Sequence, residues 1–203
     1  IYHILPDGHL LTYPIPVVEN SISNPRRCVN WLWYRNVPTD QLHKTLMTDV
    51  DGNTRSLSVA PGFVRDEEID RMKTDAQALP KLMRELIELT EQPFIQAIYD
   101  YEIPKMVFGQ VCVLGDAAYS VRPHTATGTA KAVEDGRQLG IAMLNSNTHI
   151  TSALQMWGEK QSILGHELVG RNREVGRKLQ GGTWPVGAPL AFGLYAQGDS
   201  EML

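Results

Sequence analysis

Apolar and polar positions along the first third of the chain follow the short period of β structure. His9-Leu10-Leu11-Thr12-Tyr13-Pro14-Ile15-Pro16 comes after the turn-forming Pro6-Asp7-Gly8, and Cys28 to Asn36 (CVNWLWYRN) alternates through a β-favouring run. Both are predicted strands of an antiparallel sheet, and Ile1-Tyr2-His3-Ile4 is strand-like too. Residues 19–27, rich in Asn, Ser and Pro, are predicted to connect them as a loop. Thr39 is the expected N-cap of a short helix carrying Leu42 and Leu46, and Ser56 to Val59 a short strand before the Pro61-Gly62 turn.

The period then lengthens. Asp66 to Leu79 places Ile69, Met72, Ala76 and Leu79 on one helical face, and Pro80 suits the first turn of a second helix through Leu89. Phe94 to Ile103 reads as a strand ending at Pro104. Val107 to Leu114 reads as a strongly apolar run with a turn at Gly109, ending as a buried strand at Gly115. Thr127 to Leu144 is predicted helical and is lined with Gly128, Ala130, Ala132, Gly136 and Gly140, small enough for a backbone or a flat ligand to come close. A longer helix, Thr151 to Leu179, carries Leu154, Trp157, Gln161, Leu164, Leu168, Val175 and Leu179 at three- and four-residue steps. From Gly181 the composition is that of a loop. The pattern gives an α+β sheet region over 1–106, a second region over 107–180, and a tail over 181–203.

Composition narrows the function classes. The 203 residues hold 19 Lys+Arg against 23 Asp+Glu, for a net charge of -4 and a pI near 5.9. Nucleic-acid binding wants clustered cations, so it is not expected. No apolar run reaches the roughly 18 to 20 residues that cross a bilayer. Two cysteines, Cys28 and Cys112, fit reduced thiols in a cytoplasmic protein better than a disulfide framework. The chain begins at Ile1 in mid-strand and without Met, and is expected to be a piece of a longer protein.

The stretch that carries chemistry is Val111 to Asp135 (VCVLGDAAYSVRPHTATGTAKAVED). An apolar strand ends at Gly115, Asp116 stands at its tip, a Pro-containing loop follows, and a helix starts at a glycine. Such junctions collect free N–H groups and helix-dipole ends, so ligands bind there. A carboxylate at a strand tip accepts hydrogen bonds from ligand hydroxyls such as those of a ribityl chain; it can equally cap a turn, and local physics leaves both readings open. His124 can contact a hydroxylated ring or support its own loop, and Arg122 can meet a ligand or an acidic side chain. Tyr13, Trp33 and Tyr34 are read as sheet packing.

Gly115-Asp116-Ala117-Ala118, Arg122-Pro123-His124, Gly128 and Glu134-Asp135 together resemble the second FAD motif of the flavoprotein aromatic hydroxylases. Within that family, Arg122-Pro123-His124-Thr125 and Gly128-Thr129-Ala130-Lys131-Ala132 are most similar to the hydroxylases of dihydroxypyridine rings. The resemblance implies an α/β, Rossmann-like FAD-binding part lacking its N-terminal βαβ, joined to an antiparallel substrate-domain sheet. It implies that Gly115, Asp116, Pro123, Gly128, Thr129 and Ala130 hold FAD, with Asp116 on the ribityl hydroxyls and the start of the helix at the flavin N1 and C2=O. It implies His124 as the residue meeting flavin and substrate. The implied reaction consumes NAD(P)H and O2 and hydroxylates a small electron-rich aromatic ring, in a protein that can be a homodimer. Two features depart from the family pattern: no G-x-G-x-x-G occurs in the chain, and Tyr119 stands where many relatives have His. A silent piece that serves only for packing or dimerisation remains the alternative.

Overall fold

A computed structural model describes residues 1–16, 27–146, 149–185 and 192–194. It divides into two compact units, Ile1–Ala97 and Ile98–Leu203. The fold is α+β, and every strand pair among the described residues is antiparallel.

In the first unit, β1 (Tyr2–Leu5), β2 (Gly8–Pro16) and β3 (Arg27–Arg35) form a meander in that order. The register pairs Leu10 with Trp33 and Thr12 with Trp31. Gly8 permits this pairing, because a Cβ there would lie 2.2 Å from the Tyr34 carbonyl oxygen. A single turn, α1 (Thr39–Gln41), runs into a π-turn at Leu42–Leu46. The N-cap is Pro38 rather than Thr39, whose own residue already lies inside the first turn. β4 (Ser58–Val59) is followed by α2 (Asp66–Asp75) and α3 (Lys81–Glu88), and β4 pairs with β5 (Ile95–Gln96). The helix expected through Leu79 tightens into a 3-10 turn at Ala76–Ala78. Leu79 itself is extended, because the ring of Pro80 disfavours helical geometry in the residue before it.

One face of the sheet packs on these helices. Leu10, Ala76, Leu79, Met83 and Ile87 form its core, with Leu5, Trp31, Trp33 and Met72 around them. Tyr34 lies on the other face, stacked on the buried His9 at 4.2 Å between ring centroids. The aromatic residues of β3 are thus packing residues, as their alternation implies. The expected 19–27 loop falls outside the described residues, except that Arg27 opens β3.

The second unit corrects two expectations. Phe94 to Ile103 is not one strand, because Ile95–Gln96 pairs with β4 whereas β6 (Tyr101–Glu102) has a different partner further along the chain. The buried strand expected to end at Gly115 is instead a hairpin of β7 (Val107–Phe108) and β8 (Val111–Cys112), which turns at Gly109, with φ +68°, where the turn is expected. Val111 is 63% exposed there. β6 pairs with β9 (Tyr119–Ser120), which ties residues 98–106 to this unit.

α4 (Gly128–Leu144) and α5 (Ile150–Gln180) follow, both where the periodicity places them. α5 comes unusually close to the loops beneath it. A Cβ on Gly158 would meet Val107 at 2.5 Å, one on Gly165 would meet the Tyr119 ring at 2.6 Å, and one on Gly176 would meet His124 at 2.6 Å. Met106, Ala118, Tyr119, Trp157 and Val169 form the core. Among the described residues no helix is long and apolar enough to cross a membrane.

Candidate functional site

The chain leaves β8 and turns sharply at Gly115. Its φ is +62°, in the left-handed region, and a Cβ there would press on the Ala132 side chain at 3.3 Å. Gly115 is buried in a 3-10 turn, Gly115–Ala117, while Asp116 is exposed. The cap position of this turn is Leu114, and no side-chain cap bond is made, so Asp116 does not serve as the turn's cap. The Tyr101 hydroxyl donates to the Asp116 carbonyl oxygen and ties that backbone to β6.

Asp116 stands beside the start of α4. Its Oδ1 lies 3.8 Å from the place a Cβ on Gly128 would occupy. Among the described residues no side chain caps the start of α4. The N-cap hydroxyl, Thr127 Oγ1, is turned inward to Thr125 Oγ1 at 3.2 Å and to Asn172 Nδ2 at 3.3 Å. A carboxylate and uncapped first-turn N–H groups therefore stand side by side, the acceptor and donor set that a polyhydroxylated, partly anionic ligand requires. Gly128 is half-buried, and Thr129, Ala130 and Pro123 are exposed.

The loop between them is held under strain. Ala126 has φ +54°, which costs a non-glycine residue about 1–2 kcal/mol. Its neighbours fix it: Thr125 and Thr127 are buried, and Asn172 Oδ1 accepts from Thr125 Oγ1 at 2.9 Å and from the Thr125 N–H at 3.3 Å. Asn172, fully buried on α5, also donates to the Leu168 carbonyl oxygen at 3.0 Å. Arg122, at the head of the loop, donates to Asp100 Oδ2 at 2.6 Å, and Arg173 donates to Asp100 Oδ1 at 2.7 Å. Burial pushes the Asp100 carboxyl upward, but the hydrogen bonds from Arg173 and Arg122 outweigh it and hold its pKa below the usual carboxylate range. Arg122 is thus committed to an acidic side chain.

His124 lies inside. It is 3% exposed and its ring is seated against Gly176 of α5. Burial first, and then the nearby Arg122 charge, lower its pKa from 6.5 to about 4. The unfolded chain therefore binds more protons between pH 6.5 and 4, and the protein loses stability as pH falls through that window. The loss attributable to His124 approaches about 3 kcal/mol near pH 4, and above pH 6.5 it contributes no pH dependence. Thermal melts of the protein and of His124→Gln from pH 7 to 4 measure this as a difference in slope; parallel curves would show that the imidazole is hydrated.

The structure brings Gly115, Asp116 and Gly128 together, with Thr129 and Ala130 continuing the same helix start, and it places His124 on the inner side of the loop. Sequence reasoning missed Asn172 and Asp100, which act across 47 and 73 residues on Thr125 and Arg173. It also missed the buried pair Lys131–Asp135, for which the i,i+4 spacing was the available signal.

A family model described as FAD binding domain-like matches residues 1–100. The 2,6-dihydroxypyridine 3-monooxygenase of Paenarthrobacter nicotinovorans is 36% identical over 195 residues, 95% of this chain and 48% of that protein. The chain is homologous to the FAD-dependent aromatic hydroxylases. A 2,6-dihydroxypyridine-3-hydroxylase structure from Arthrobacter nicotinovorans superposes with a TM-score of 0.83 at 34% identity, over 95% of this chain and 48% of that one. A salicylate hydroxylase substrate complex shares the fold, with a TM-score of 0.62 at 18% identity, over 88% of this chain and 40% of that one. The chain spans about half the length of the dihydroxypyridine hydroxylases it matches.

Proposed function

We propose that this chain supplies the flavin loop and the substrate-side sheet of an FAD-dependent monooxygenase that hydroxylates an electron-rich, hydroxylated aromatic or heteroaromatic ring, such as a dihydroxypyridine. The observation that carries the reading is the exposed Asp116 carboxylate beside the uncapped start of α4, within a motif of aromatic hydroxylases. The first unit, with its helix-backed sheet, takes the substrate side, and the second takes the flavin.

The residues present suit FAD. Asp116 accepts hydrogen bonds from the ribityl hydroxyls, and the first-turn N–H groups of Gly128, Thr129 and Ala130 meet the pyrimidine edge of the flavin. The start of a helix carries about half a positive charge, which favours negative charge at that edge. Gly115 and Pro123 shape the approach, and His124 supports the loop from within. Bound FAD supplies the redox chemistry between NAD(P)H and O2, while the protein contributes position, electrostatics and exclusion of water.

The second reading, a packing or dimerisation module, draws on the exposed apolar residues Val133, Ile141, Met143 and Leu144 of α4. One assay separates them. With FAD bound to the full-length protein, NAD(P)H oxidation and O2 uptake should accelerate with hydroxylated pyridines or phenols. A protein that takes up no flavin and responds to no ring in the panel would favour the packing module.

A further inference from the structure

The second unit buries an ion pair that the flavin reading leaves unused. Lys131 Nζ and Asp135 Oδ2 lie 2.6 Å apart on α4, with side-chain exposures of 1% and 0%. Lost hydration offsets most of the attraction in such a pair, so stability alone is a poor reason for it. The hydrogen bonds point to another. The same Oδ2 accepts the Gly115 N–H at 2.9 Å, and the Asp135 carbonyl oxygen accepts the Trp157 indole N–H at 3.0 Å. Asp135 Oδ1 has no hydrogen-bond partner among the described residues, so both donors to the carboxylate converge on one oxygen.

Gly115 immediately precedes Asp116. Its left-handed backbone is held against α4 in two ways: a Cβ there would crowd Ala132 at 3.3 Å, and Asp135 holds the N–H. We infer that Asp135 is a positioning residue for FAD. Through the Gly115 N–H it fixes where the Asp116 carboxylate stands beside the start of α4, and Lys131 supplies the counter-charge that lets a carboxylate sit there. This rests on the reading that Asp116 accepts the ribityl hydroxyls.

The test compares two charge-free double variants of the full-length protein, Lys131→Met/Asp135→Asn and Lys131→Met/Asp135→Leu, beside Asp116→Ala. The asparagine keeps an acceptor for Gly115 and the leucine does not, while neither leaves a buried charge. FAD affinity of the apo-proteins is read from flavin fluorescence, and folding from thermal melts. The asparagine double should bind FAD within about threefold of the unmodified protein, and the leucine double at least tenfold more weakly, at temperatures where both are folded. Should the leucine double not fold, Lys131→Met/Asp135→Ser, whose hydroxyl falls short of Gly115, carries the same expectation. Equal affinity in the two doubles, with Asp116→Ala weakened, overturns the positioning role alone. Unchanged affinity in Asp116→Ala overturns the flavin reading and the positioning role together.

Discussion

Alanine in place of Asp116 should weaken FAD binding roughly tenfold to a hundredfold and leave the melting temperature almost unchanged. Hydrogen bonds to a charged acceptor contribute about 1.5–3 kcal/mol each, and that range converts to this loss of affinity. The melt should hold because Asp116 is exposed and is not the cap of its own turn, which Leu114 occupies. Its backbone anchor, the Tyr101 hydroxyl on the carbonyl oxygen, does not depend on the side chain. A turn-capping Asp116 would behave in the opposite way, losing about 1 kcal/mol of stability with flavin affinity intact. Fluorescence titration of apo-protein with FAD beside a thermal melt distinguishes the two outcomes.

Asn172→Leu is expected to have the largest effect on stability. Asn172 is fully buried, and its side chain joins Thr125, Thr127 and the Leu168 carbonyl of α5. Leucine has similar volume but no polar atom, so the buried Thr125 N–H is left without its partner and the two threonine hydroxyls keep only each other among the described residues. Each unsatisfied buried group costs about 1–3 kcal/mol; with partial relaxation the total should be about 3 kcal/mol, a fall in Tm on the order of 10 °C. FAD affinity of the folded protein should fall as well, since Ala126 would lose the constraint on either side that holds its left-handed backbone. A melt within a degree or two of the unmodified protein would show that Asn172 is not the clamp on this loop.

The legible parts of this protein were those governed by local rules. The strand β2 and the helices α4 and α5 declare themselves in periodicity, and the motif from Gly115 to Asp135 singles out the turn and the helix start that the structure sets side by side. The turn at Gly109 was legible, but the apolar run around it folds as a hairpin that leaves Val111 exposed rather than as a buried strand. Elsewhere the deciding interaction was remote. Phe94 to Ile103 has β composition throughout, but its two ends pair with strands from different units. The placement of His124 depends on Gly176, and that of Arg122 on Asp100, neither of which is near in sequence to the loop. A motif shows which residues are present; which of them are buried and which exposed is set by the long helix behind it.

A crystal structure of the full-length protein with FAD bound tests the central claim most directly. The ribityl hydroxyls should lie within hydrogen-bond distance of the Asp116 carboxylate, with the pyrimidine edge of the flavin against the N–H groups of Gly128 to Ala130. A flavin bound elsewhere, with Asp116 facing only solvent, would contradict it.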